Sequence, residues 1–147
     1  MSDSQSSIAD EIVAAHNQYR SGVEVSDIEW SGDLANEAQE WADHLTSIGQ
    51  LEHSHTDGEG ENLSMGSTGG YSVTDFVNGW GEEKKYFVGG TFPNVSSTGN
   101  WQDVGHYTQV VWRDTTQVGC AVASDGSNDY LVCRYTPPGN FDGQSPF

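Results

Sequence analysis

One carboxylate in this chain of 147 residues stands where a carboxylate is costly. Phe76, Trp80 and Phe87 mark the apolar stripe of a helix, and Glu83 falls on that stripe, three residues after Trp80. A carboxylate turned toward a core needs a cation, a metal or several hydrogen-bond donors to compensate it. The few lysines and arginines lie mostly elsewhere, so histidines are its expected partners. Of the five histidines, His53, His55 and His106 lie outside the helical stripes; His16 and His44 fall on helices, and His16 reads as a core or boundary residue. Two neutral imidazoles suit Zn²⁺ or another divalent cation, with carboxylates binding it directly or through water. His53-Ser54-His55 is by itself a metal-type spacing of low specificity.

Other chemistry has no local signature here. The sequence has no Gly-x-Ser-x-Gly elbow, no His-Glu-x-x-His, no phosphate-cradling glycine loop with lysine and no Cys-x-x-Cys. A site would have to be composite, with a helix carboxylate and loop histidines converging from distant segments.

The elements that must position such a site can be read from periodicity. Ile8, Ile12, His16 and Tyr19 form a helical stripe, opened by Ser7 with Asp10 in a capping-box pattern and closed near Gly22. Leu34, Ala38, Trp41, Leu45 and Ile48 form a second, stopped by Gly49. Residues 52–70 read as loop with a short strand around Asn62–Met65. A third helix starts at Ser72, capped by Asp75, and runs to about Phe87. The Gly/Ser/Thr/Asn-rich stretch 89–105 reads as a long surface loop, long enough to suspect function. Val118–Ala123 and Tyr130–Tyr135 form a hairpin, and symmetric pairing puts Cys120 opposite Cys133, within disulfide reach. No linker or repeat divides the chain, so one domain over 8–147 is expected behind a disordered polar N-terminus at 1–7.

With 22 Asp+Glu against 5 Lys+Arg the net charge is −17, which opposes encounter with nucleic acid and with anionic membranes. No apolar run is long enough for a transmembrane segment. The start at Met1–Ser7 lacks the regions of a signal peptide, so the chain is either cytoplasmic, if that start is native, or a mature extracellular or periplasmic form without its leader. A Cys120–Cys133 bridge favours export to an oxidising compartment.

Longer motifs then resemble a known family. Gly105-His106-Tyr107-Thr108-Gln109-Val110-Val111-Trp112, with Val118-Gly119-Cys120-Ala121-Val122, is similar to the signature of the CAP superfamily (cysteine-rich secretory proteins, antigen 5 and pathogenesis-related 1 proteins). Leu131-Val132-Cys133-Arg134-Tyr135-Thr136-Pro137-Pro138-Gly139-Asn140 resembles its second signature. Ala15-His16-Asn17-Gln18-Tyr19-Arg20, Leu51-Glu52-His53-Ser54, Gly60-Glu61-Asn62-Leu63 and Trp80-Gly81-Glu82-Glu83 are similar as well.

The resemblance implies an α+β fold, a three-layer α-β-α sandwich with a central antiparallel sheet. It implies a central cleft lined by His53, Glu61, Glu83 and His106, with His53 and His106 as the metal ligands. The expected function is a secreted, monomeric binding module that takes a divalent metal and a peptide, glycan or lipid-like ligand. The alternatives are a weak metal-assisted hydrolase or protease, or a structural His/Glu cluster with interaction elsewhere on the surface. No catalytic residue is assigned. In sterol-binding relatives an aromatic motif falls in the stretch Tyr86–Trp101; Phe87 and Phe92 are present, but a valine replaces the third aromatic, which weakens the expectation of sterol binding.

Overall fold

The computed structural model describes the backbone from residue 3 to 147 and side chains from residue 8. In chain order the elements are α1 (Asp3–Gly22), β1 (Glu29–Trp30), α2 (Gly32–Ile48), β2 (Gly60–Ser67), α3 (Val73–Gly81), α4 (Gly105–Val111), β3 (Gln117–Ser124) and β4 (Asn128–Thr136). The expected polar N-terminus at 1–7 lies outside the residues whose side chains are described. The backbone of α1 is helical from Asp3, so Ser7 lies within the helix and not at its N-cap.

The sheet has the order β1-β3-β4-β2. β4 is antiparallel to both neighbours, and β3 pairs Ala123 with Tyr130 and Cys120 with Cys133, the register read from the sequence. The sulfurs of Cys120 and Cys133 are bonded. β1, a two-residue edge strand, runs parallel to β3, so one edge of the otherwise antiparallel sheet is mixed.

Period-two alternation divides the core between two layers. Val118, Cys120, Leu131, Cys133 and Tyr135 face α1, α3 and α4, while Ala121, Tyr130 and Val132 face Ala38, Ala42 and Leu45 of α2. Gly119 is required by this packing, since a Cβ there would run into the α2 backbone at Ser31–Ala35. The result is the three-layer α+β arrangement, with β4 covered on both faces.

Two segments differ from the sequence reading. The α-helical part of the third helix ends at Gly81 and tightens into a 3-10 segment, Glu82–Tyr86. Gly79 and Gly81 weaken that last turn. The stretch 89–105 is more than a surface loop: Phe92, Val95 and Val104 are buried against Trp112 as a third cluster. Phe92 is only 3% exposed, so it packs the core and is not displayed to a ligand.

Candidate functional site

The site is built from two His–Glu pairs, one on the sheet and the loop after α2, the other on the 3-10 segment after α3 and on α4. The first is built on β2. Pairing with β4 puts Glu61 across from Arg134, and Arg134 Nε lies 2.8 Å from Glu61 Oε2, as an ion pair without hydrogen-bond alignment. The loop after α2 closes over the same carboxylate. The Ser54 N–H donates to Glu61 Oε1 at 2.9 Å, the Ser54 hydroxyl to Oε2 at 2.7 Å, and His53 Nδ1 meets Oε1 at 2.9 Å. Burial would raise the Glu61 pKa, but His53, Ser54 and Arg134 together hold it below the ordinary carboxylate range. Arg134 is itself buried and also reaches Glu59 at 3.1 Å and Glu37 at 3.7 Å.

The second pair joins the 3-10 segment to α4. The N-cap of α4, Val104, has no side chain able to cap, and Glu83 supplies the cap from outside. Its Oε1 accepts the N–H groups of His106 and Tyr107 at 3.0 and 3.1 Å, and its Oε2 meets His106 Nδ1 at 2.8 Å. Two free amides at a helix N-terminus are a favourable place for a carboxylate. This is how Glu83 is tolerated on the apolar stripe. Trp80 stacks on the His106 ring with centroids 5.9 Å apart, fixing the imidazole plane.

A buried chain of hydrogen bonds backs the site. His16 Nδ1 donates to the Ile12 carbonyl at 2.8 Å, which leaves Nε2 to accept from the Tyr135 hydroxyl at 2.8 Å. Asn62 Nδ2 donates both to that hydroxyl and to the His106 carbonyl. Desolvation lowers the His16 pKa to about 4, so it stays neutral, and desolvation pushes the Tyr135 phenol up.

His53, Glu61 and His106 line one cavity of about 310 Å³, together with Asn62, Trp101, Gln102, Gly105 and Asn140. Glu83 lies behind His106 and lines a neighbouring cavity with Trp80 and His106. His55 lies apart from the cleft. It borders an adjoining cavity that shares His53 and Glu61 with the cleft and adds Glu59 and Arg134, its backbone has a positive φ of 56°, and its ring sits 6.4 Å from that of His53. The His53-Ser54-His55 spacing therefore brings one histidine, not two, to the cleft.

The donor set bears on metal chemistry. Each carboxylate takes an Nδ1, which fixes the tautomer and leaves Nε2 as the ligating nitrogen, the usual second-sphere arrangement for a metal-binding histidine. Among the described residues, neither Nε2 makes a hydrogen bond, and no three His, Cys, Asp or Glu side chains gather around one metal position. Two imidazoles with open remaining positions fit a weakly held, exchangeable cation and do not fit a closed structural zinc site.

Sequence reasoning missed Arg134, Ser54, Trp101 and Asn140 as parts of the site. Arg134 had a signal, as the one charge inside the apolar run Tyr130–Tyr135. Trp101 is held at the cleft rim because Gly105 has no Cβ to displace its ring, and Phe92 meets its edge at 5.2 Å.

Sandwich, hairpin disulfide and paired His–Glu cleft define a class of small α+β domain. The model of the cysteine-rich secretory protein (CAP) family matches residues 13–135, and the chain belongs to that family. It is 40% identical over 134 residues to pathogenesis-related protein 1A of Nicotiana tabacum, covering 90% of this chain and 77% of that protein. Cysteine-rich secretory protein 1 of Mus musculus is 40% identical over 157 residues, covering 98% of this chain but 61% of that one. Among solved structures, NaASP2 with Zn²⁺ matches with a TM-score of 0.80 at 25% identity, over 100% of this chain and 86% of that chain. No described helix is long and apolar enough to cross a membrane.

Proposed function

We propose that this chain is an exported binding module whose cleft takes a divalent cation on His53 and His106 and a small polar ligand beside it. One observation carries the reading: both histidines line the same cavity and both are oriented through Nδ1 by a carboxylate, leaving Nε2 for a ligand. The solved relative crystallised with Zn²⁺ supports zinc as the cation. Gln102 and the rim indole of Trp101, both exposed at the cavity, suit a peptide or glycan group better than a lipid tail. The oxygens of Glu61 and Glu83 are already engaged as acceptors, which favours binding over water activation. Export is supported by the disulfide and by membership of a secretory family.

The test is a zinc titration by calorimetry on the wild type and on the His53→Ala/His106→Ala variant. Affinity on the order of micromolar is expected for two protein nitrogens, with loss in the variant. Equal affinity in both proteins would remove the cation site.

A further inference from the structure

A second concave surface, sharing no lining residue with the His–Glu cleft, opens between α1 and α2. Its volume is about 970 Å³, against about 310 Å³ for the cleft. Val13 and Ala14 of α1 form one wall, Gly32 and Ala35 of α2 the other, and β1 the floor.

The floor is a sheet edge with one open position. The N–H groups of Glu29 and Ser31 donate to Thr116 and Val118 of the β3 side at 3.0 and 2.8 Å. Directions alternate along a strand, so the N–H and carbonyl of Trp30 point the other way, off the edge of the sheet. Ile28, two residues earlier, faces the same way and is closed by the Asn17 amide. That side chain accepts the Ile28 N–H at 2.7 Å and donates to its carbonyl at 3.3 Å, as a neighbouring strand would. At Trp30 no such partner is found among the described residues. Among the described residues, the charged side chains lining the groove are Asp10 and Glu29, both exposed carboxylates.

We propose that this groove binds an extended basic peptide segment, which adds as a short strand beside β1. Its backbone pairs with the N–H and carbonyl of Trp30, its apolar side chains lie against Val13 and Ala14, and its Lys or Arg side chains reach Asp10 and Glu29. Strand addition at a sheet edge draws affinity from main-chain hydrogen bonds and selectivity from flanking pockets. A lipid tail in the groove would leave the polar groups of Trp30 unsatisfied. A second copy of the chain would bring carboxylates against carboxylates on molecules of net charge −17 each.

A blocked hexapeptide of alternating Lys and Val tests this, followed by amide chemical shifts on the labelled chain. Shifts are expected over residues 9–14 and 28–32 and not at His53, Glu61 or His106. Ala14→Trp, at an exposed position, should fill the groove and weaken binding by about tenfold or more without changing the melt. The double charge reversal Asp10→Lys/Glu29→Lys should do the same. A peptide of equal charge N-methylated on alternate residues should lose binding, because it cannot pair with Trp30. The proposal is overturned if the N-methylated peptide, or an alternating Lys and Gly peptide, binds as well as the Lys-Val probe. It is also overturned if the shifts map to the cleft, or if sedimentation shows a homodimer that Ala14→Trp disrupts.

Discussion

Glu83 holds His106 at both ends of its residue, with one oxygen on the backbone N–H at 3.0 Å and the other on ring Nδ1 at 2.8 Å. The same contact thus caps α4 and sets the tautomer of an imidazole in the cleft. Structure and ligand chemistry meet in a single carboxylate.

That double role gives a definite expectation for Glu83→Gln. The amide oxygen can still accept the N–H of His106 and Tyr107, so the fold should persist. The amide nitrogen would face Nδ1 as a donor, driving His106 to the tautomer with its proton on Nε2. Stability should fall by about 1–3 kcal/mol, the usual cost of an upset buried polar group. Zinc affinity should fall together with it. A variant that melts earlier yet binds zinc like the wild type would show that the pair is structural only.

Acid lability should trace to His16. Its folded pKa is about 4, below the ordinary histidine value of 6.5, so the unfolded chain binds the proton first as pH falls. Stability is fully present above about pH 6.5 and is lost between there and pH 4, by about 3 kcal/mol at most. Glu61 has a depressed pKa and adds a loss in the same direction, at pH values below the ordinary carboxylate range. Melting curves from pH 7 to 4 on wild type and His16→Gln would check this, with the variant expected to show a shallower decline. Parallel curves would rule out the His16 contribution.

How much of this was legible in the sequence differs from residue to residue. The register of Cys120 and Cys133 could be read because a hairpin fixes its own pairing locally. Glu83 could be singled out because it breaks an apolar stripe, and a histidine is among its partners as expected, yet the two backbone amides it also accepts at the start of α4 lie 23 and 24 residues away and leave no periodic trace. Glu61 is a polar residue on a short strand, and only the resemblance marked it. Its significance rests on the β2–β4 register that brings Arg134 opposite. The burial of Phe92, Val95 and Val104 was hidden for a related reason: a Gly- and Ser-rich stretch has no periodicity to show which side faces inward.

The disulfide supports a separate expectation. Cys120 and Cys133 are 13 residues apart, and closing a loop of that size constrains the unfolded chain by about 2–3 kcal/mol. Thiol counting on the unreduced exported protein should find none free. A Cys120→Ala/Cys133→Ala variant should stay folded but unfold at lower denaturant, with a somewhat steeper denaturant slope, because the unfolded chain without the bridge is less compact and exposes more surface. Two free thiols in the native protein would remove both the bridge and the argument it gives for export.

Salt should stabilise this protein. Its 22 carboxylates face only 5 Lys+Arg. Of the arginines, Arg20 and Arg134 are buried and committed to internal partners. Repulsion at the surface is therefore poorly compensated, as at Glu37, whose pKa is raised first by its hydrogen bond with Glu59. Added NaCl shortens the screening length from about 30 Å at 0.01 M to about 10 Å at 0.1 M, which relieves the folded state more than the expanded unfolded chain. The melting temperature should rise steeply over the first few tenths molar and then level off. Replacing Glu37 with Gln should flatten the start of that rise, since one repelling carboxylate is gone while Arg134 keeps Glu59 and Glu61. A curve that is flat or falls from low to molar salt would show that the acidic surface costs the fold nothing.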